Sequence, residues 1–246
     1  MFRFYVDNSA IIDDVIHITG SDVNHIKNVL RMKKGEKLII CNGQGQDYYC
    51  IIDEVCDKEV IVNVEEKKEC EAELRSNIYL FQGLPKKDKM ELIVQKAVEL
   101  GAYEVIPVMM KRTIVKLEDK KKELKKLERW QSIAESAAKQ SKRGIIPQVH
   151  EVVSYKQAIE MAKELDMALL PYENAKGIQH TKDLIAQCQG KKSIGIFIGP
   201  EGGFEPDEVE MAMNANIEPV TLGKRILRTE TAGLTMLANI MFALEQ

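Results

Sequence analysis

Two glycine-rich stretches constrain this chain most. They are GIFIGPEGGF, residues 195–204, and TLGKRILRTETAGL, residues 221–234. In each, an apolar run ends abruptly in glycine and a helical pattern resumes. The runs are Ile194 to Ile198 and Glu218 to Leu222; the helices are expected at Pro206 to Ala215 and Thr231 to Leu244. A strand–loop–helix unit repeated once belongs in an α/β sheet, where ligands sit beyond the carboxyl ends of the strands. Glycine at such a place lets the backbone approach a ligand or take positive φ. Neither loop has the spacing of a phosphate cradle, GxxxxGK[ST] or GxGxxG. The first instead carries Glu201, which would repel a phosphate and suits a neutral or cationic ligand. The second is dense in Lys224, Arg225, Arg228, Thr229 and Glu230. Ordinary βα turns are the alternative reading of either loop taken alone.

The same alternation extends upstream to Asn77. A strand at Ile78–Gly83 leads to a helix at Asp88–Leu100, with Met90, Val94, Ala97 and Val98 on one face and Gly101 ending it. Tyr103–Met109 reads as a strand in which Pro107 implies an edge or strand-end position. A long helix follows, about Glu118 to Gln140, with a core stripe of Leu124, Leu127, Trp130 or Gln131, Ala134 and Ala138. Then come a weaker strand, a helix at Ser154–Leu165, a strand at Met167–Leu170 and a helix near Gln179–Cys188. Strands alternating with helices of this length predict a parallel sheet covered on both faces.

Residues 1–70 read differently. Phe2–Val6, Lys37–Asn42, Asp47–Val55 and Val60–Glu66 are strand-like, with a turn at Asn42-Gly43-Gln44-Gly45. One helical stretch, Ser21 to Met32, interrupts them; Ser21 is its expected cap, and Val23, Ile26, Val29 and Leu30 share a face. Many strands and one helix in so short a segment predict a small β-barrel. The charged run Glu65–Ser76 marks a boundary, giving domains at 1–72 and 73–246.

Composition narrows the function. Five cysteines without CxxC spacing imply reduced, mostly buried thiols in a cytoplasmic protein, with neither a disulfide framework nor a zinc site. The four histidines form no metal-binding pair. No apolar run reaches membrane-spanning length, and the N-terminal MFRFYVDNSA does not read as a signal peptide. Residues 73–145 carry a net charge of +7 (17 Lys and Arg against 10 Asp and Glu), whereas the segments on either side are acidic. A basic middle is compatible with an RNA-facing surface; a solvated lysine-rich helix gives the same signal.

GPEGGF followed by LGKRILRTETA closely resembles the cofactor-binding motifs of the SPOUT methyltransferases, and the wording is most similar to the RsmE family. HIKNVLRMKKGEKLIICNGQG resembles that family's N-terminal PUA-like RNA-binding domain. GLPKKDKMELIVQKAVELGAYEVIP and ERWQSIAESAAKQSKRGIIP match it in between, so the resemblance covers nearly the whole chain. It implies an α/β, C-terminal trefoil-knotted methyltransferase domain with a parallel sheet and a small PUA-like β-barrel before it. The implied activity is S-adenosylmethionine-dependent methylation of N3 of a uridine in 16S ribosomal RNA of the small subunit, by a homodimer that needs no metal or membrane.

Carried over residue by residue, the resemblance places the cofactor against Leu170 and Pro171, against Gly199, Glu201 and Gly202, and against Leu222, Gly223, Ile226, Leu227 and Ala232. Leu222, Ile226 and Leu227 would wall the adenine; service in the core is the alternative. Arg228 is expected to stabilise the developing uracil anion or hold a phosphate, and Glu230 to take or relay the N3 proton. A pairing of Arg228 with Glu230, or a capping role with Thr229, is the alternative. RNA contacts are expected from Arg3, Arg31, Lys111, Arg112, Gln140 and Arg143, and a dimer interface from the C-terminal helix, which is apolar almost all round. A SPOUT enzyme of other specificity, a non-catalytic RNA-binding assembly factor and a nucleotide hydrolase are the competing readings.

Overall fold

The computed structural model describes residues 1–115, 119–175 and 177–245. The chain divides into two compact units: residues 1–73 with 138–146, and residues 74–137 with 147–246.

The first unit contains β1 (Phe2–Tyr5), β2 (Ile11–Ile12), β3 (Val15–Thr19), α1 (Ser21–Asn24), β4 (Lys37–Cys41), β5 (Gln46–Val55) and β6 (Glu59–Glu69). Its strand order is β1-β4-β5-β6-β3-β2, so the sheet curls as an open half-barrel with β1 and β2 at its edges rather than closing. Alternate residues of these strands, among them Ile16, Ile18, Leu38, Ile40, Ile52, Val60 and Val62, form one apolar core with Val23 and Ile26. Two local expectations change. Gly20, not Ser21, occupies the N-cap of α1. The helix continues as a π-turn over His25–Val29, and the wider turn rotates the apolar stripe. Val29 is therefore exposed while Met32 is buried. The segment 138–146 is stitched in by backbone bonds, Gly45 N to Gly144 O and Ile146 N to Gly43 O.

The second unit holds β7 (Asn77–Gly83), α2 (Lys89–Glu99), β8 (Ala102–Met109), α3 (Lys120–Gln140), β9 (Gln148–Val149), β10 (Val153–Ser154), α4 (Tyr155–Ala162), β11 (Met167–Pro171), α5 (Ile178–Gln187), β12 (Ser193–Ile198), α6 (Pro206–Asn214), β13 (Glu218–Val220) and α7 (Thr229–Leu244). The last residues of α3 belong with the first unit, and Glu118, its expected start, lies outside the described residues. The strands run β10-β8-β7-β12-β11-β13, with β9 also on β8, and all these pairings are parallel. Phe81 and Phe197, on neighbouring strands, stack at 4.4 Å within a core shared by β8, α4, β11, β12 and α6. Such burial is the main favourable term in folding.

Pro107 does not mark an edge: β8 has β7 on one side and β9 and β10 on the other. β9 pairs with Glu104 and Val105, and β10 with Val108 and Met109. Pro107 faces the break between them, where no ladder bond needs its missing N–H. The long-helix stripe is also only partly inward, since Trp130 and Ala134 are buried while Leu124 is exposed. All five cysteines are free thiols, and only Cys56 is not buried.

Candidate active site

β12, β11 and β13 are adjacent and parallel, so their carboxyl ends emerge together. Three chain segments distant in sequence thereby meet: Pro171–Glu173, Gly199–Phe204 and Thr221–Thr229. With Lys89, Arg112, Ile198 and Ala232 they line a cleft of about 590 Å³, within the size range of small-molecule sites.

The loop after β12 is held from several directions. Gly203, at φ 69°, closes a turn by its N–H to Pro200 O at 2.9 Å. The buried Gln82 side chain donates to Thr229 Oγ1 (2.8 Å), which donates to Gly199 O (2.7 Å). Gln82 Oε1 is buried without a partner, so the amide is committed through its NH₂ group alone. Glu201 accepts from the Lys86 N–H at 3.0 Å and from the Lys89 ammonium at 3.1 Å. Arg112 reaches Gly202 O at 2.7 Å and Glu205 at 2.8 Å. Gly83 must be glycine for the loop to sit there, because a Cβ would lie 2.6 Å from Pro200 N. α6 then begins with Pro206 at its first position and a capping box, the Glu208 carboxylate accepting from Glu205 N at 2.9 Å. Burial pushes the Glu201 carboxyl upward, but the Lys86 amide and the Lys89 ammonium outweigh it and hold it below its ordinary value. Pairing with Glu205 likewise raises Arg112.

The loop after β13 is open. Lys224, Arg225 and Arg228 are exposed and form no ion pair among the described residues. Ile226 is 87% exposed. Arg228 is the N-cap of α7. It does not pair with Glu230, which instead faces Lys89 at 3.2 Å. That contact is ionic rather than a directed hydrogen bond, since Glu230 Oε2 has no aligned donor.

All the residues expected around a cofactor line the cleft except Leu170, which is fully buried. Arg228 lines it and Glu230 does not. The residues expected to meet RNA are divided between the two units. Arg112 lines the cleft, and Lys111 pairs with Asp207 while its N–H reaches the buried Glu208 at 2.9 Å. In the first unit, Arg31 is exposed at φ 55° and Gln140 is exposed. Arg3 and Arg143 turn inward there. Arg3 forms a two-bond pair with Asp47, both bonds 2.7 Å, and Arg143 is 4% exposed and paired with Glu73 at 2.6 Å.

An RNA methyltransferase domain model matches residues 72–241, and an RNA methyltransferase PUA domain model matches residues 18–65. Ribosomal RNA small subunit methyltransferase E of Bacillus subtilis is 39% identical over 93% of this chain and 90% of its own length. The chain belongs to the ribosomal RNA small subunit methyltransferase E family. The Mesomycoplasma hyopneumoniae member is 33% identical over 97% of this chain and 98% of its own. A crystal structure of the Neisseria gonorrhoeae member bound to S-adenosyl methionine matches with a TM-score of 0.79 at 29% identity, covering 98% and 97% of the two chains.

Within this family frame the structure adds Lys89, Tyr172, Phe204 and Thr229 to the cleft wall. Lys89 left a signal in the sequence: it opens a helix, where the dipole disfavours a cation, so it needs carboxylates supplied from elsewhere. Among the described residues no group of three or more His, Cys, Asp or Glu is placed to hold a metal, and no helix is long and apolar enough to cross a membrane.

Proposed function

We propose that this chain transfers a methyl group from S-adenosylmethionine to N3 of a uridine in the 16S ribosomal RNA of the small subunit. The observation that carries the reading is the cleft itself: glycine backbone and apolar side chains, a carboxylate in place of a phosphate cradle, and on its wall Arg225 and Arg228, which form no ion pair among the described residues. Those features fit the cofactor. Leu222, Ile226 and Leu227 offer an apolar surface to adenine, the glycine loops offer backbone hydrogen bonds, and Glu201 tolerates a sulfonium. Pro171, Gly199, Gly202, Gly223 and Ala232 complete that wall, with Leu170 behind it.

When bound, the cofactor supplies an activated methyl group, so the protein's task is positioning and electrostatics. Arg228, whose guanidinium forms no ion pair among the described residues, stabilises the uracil anion that forms when N3 loses its proton. Glu230, at the start of α7, takes or relays that proton.

The half-barrel unit, with Arg31 and Gln140, binds RNA, and Lys111 and Arg112 serve it in the methyltransferase domain. We assign Arg3 and Arg143 to holding the half-barrel together. The functional division is 1–72 and 73–246, with residues 138–146 returning to the half-barrel unit. The second domain is proposed to be trefoil-knotted and to dimerise through α7, whose Phe242 is 78% exposed; the protein acts in the cytoplasm.

The test is nucleoside mass spectrometry on small subunits from cells lacking the gene, incubated with the protein and labelled S-adenosylmethionine. Labelled 3-methyluridine is expected. A different labelled nucleoside overturns the specificity. No label together with no cofactor binding overturns the enzyme reading.

A further inference from the structure

The reading above leaves Lys89 without a role. Its ammonium sits 3.1 Å from Glu201 Oε1 and 3.2 Å from Glu230 Oε2. The three side chains are about one-quarter exposed or less: 28% for Lys89, 27% for Glu201 and 16% for Glu230. They come from three elements, the first residue of α2, the loop after β12 and the first turn of α7. Lys89 and Glu201 line the cleft and Glu230 lies outside its wall; the remaining charged groups on the wall differ in kind. Glu173 and the cations Lys224, Arg225 and Arg228 form no ion pair among the described residues, and Arg112 is matched by Glu205. Among the described residues, only at Lys89 does a single partly buried cation at the cleft separate two carboxylates. The trio therefore carries one net negative charge, in a place where solvent screens it less than at an open surface.

A methyl donor of the sulfonium class is cationic at sulfur, and its demethylated product is neutral there. A net negative trio at the cleft thus favours the donor over the product, and the strength of that preference depends on how much of its carboxylate charge is cancelled. We propose that Lys89 is a specificity-determining residue that sets this preference by holding the Glu201–Lys89–Glu230 trio at a single net negative charge. The trio distinguishes donor from product while leaving the discrimination small enough for exchange. The inference rests on the cofactor reading given above.

The experiment compares dissociation constants of S-adenosylmethionine and S-adenosylhomocysteine by calorimetry, for wild type, Lys89→Met, Lys89→Arg and Glu201→Gln. Lys89→Met takes the trio to two net negative charges, and its preference for the donor over the product is expected to rise roughly tenfold. Lys89→Arg keeps the charge and should keep the wild-type ratio within about twofold. Glu201→Gln leaves the trio neutral and should move the ratio the opposite way, which keeps the inference testable if Lys89→Met does not fold. A lysine that only braces the loop, or only grips the carboxylate common to both ligands, would change both affinities together and leave the ratio fixed. An unchanged ratio in a folded Lys89→Met, or in Glu201→Gln where Lys89→Met does not fold, overturns the proposal while the cofactor reading stands. A wild-type protein that binds neither ligand overturns both.

Discussion

The two glycine loops begin alike in sequence and end in opposite conditions. The loop after β12 uses its polar groups internally: Gly199 O accepts from Thr229, Glu201 from Lys86 and Lys89, and Gly202 O from Arg112. The loop after β13 has its cations unpaired among the described residues and Ile226 in solvent. The difference separates two tasks within one cleft. A wall that must keep its shape without a ligand is built from satisfied hydrogen bonds, because a preorganised site has less ordering to pay for on binding. A wall that must meet a changing charge keeps its cations uncommitted. The first loop is therefore read as frame and the second as the working edge.

The largest expected effect tests the working edge. Arg228→Ala should reduce methyl transfer by about 10²–10³ while the dissociation constant for S-adenosylmethionine stays within about twofold. A collapse of cofactor affinity instead would make Arg228 part of the frame and break the distinction. Gly83→Ala tests the frame from behind. Its Cβ would meet Pro200 N at 2.6 Å and Pro200 Cδ at 2.7 Å, both part of rigid structure. The expected cost is about 1–3 kcal/mol, read as a melting temperature lower by about 3–10 °C. An unchanged melting temperature would show that the first loop yields easily. Arg112→Ala is milder. It removes a bond to Gly202 O and an exposed pair with Glu205, and cofactor affinity should fall by roughly fivefold, about 1 kcal/mol. A change only in RNA affinity would assign Arg112 wholly to the nucleic acid.

How far the residues themselves disclose this depends on the range of the forces involved. The strands of the second unit follow local periodicity, and two of the βα turns follow glycine, so the parallel sheet and the position of those two loops were legible, while the third, at Pro171–Glu173, came from the family resemblance. Short or irregular pieces were not: β2 has only two residues, and the π-turn that exposes Val29 has no composition signal; β3, with Ile16 and Ile18 alternating inward, was legible but not read. Long-range pairing was hidden as well. Arg3 and Arg143 look like any surface arginine in sequence, and only folding brings them to Asp47 and Glu73, with separations of 44 and 70 residues. The same holds for Arg112, whose partner Glu205 lies 93 positions away. Charge type is written locally, whereas whether a charge is free or already paired is a property of the fold.

The smallest effect concerns the frame's own charge and is a matter of pH. Glu201 is held below its ordinary value of 4.5 by Lys86 and Lys89 against the opposing effect of burial. A carboxyl depressed on folding adds stability above its unfolded pKa and loses it as pH falls through the lower folded value. The contribution should therefore be constant from pH 7 to about 5.5 and fade below 4.5. Solvent screening at a residue of this exposure keeps it under about 1 kcal/mol. Other carboxylates are depressed too, Asp166 and Asp207 among them, so acid destabilisation of the wild type alone says little. The informative quantity is the difference in melting temperature between wild type and Glu201→Gln. That difference should favour wild type near neutrality, shrink as pH falls below 4.5, and vanish only below the lowered folded value. A difference that stays constant across the range would mean that the Lys86 and Lys89 contacts need only an acceptor oxygen, and the first loop would then be a frame of geometry rather than of charge.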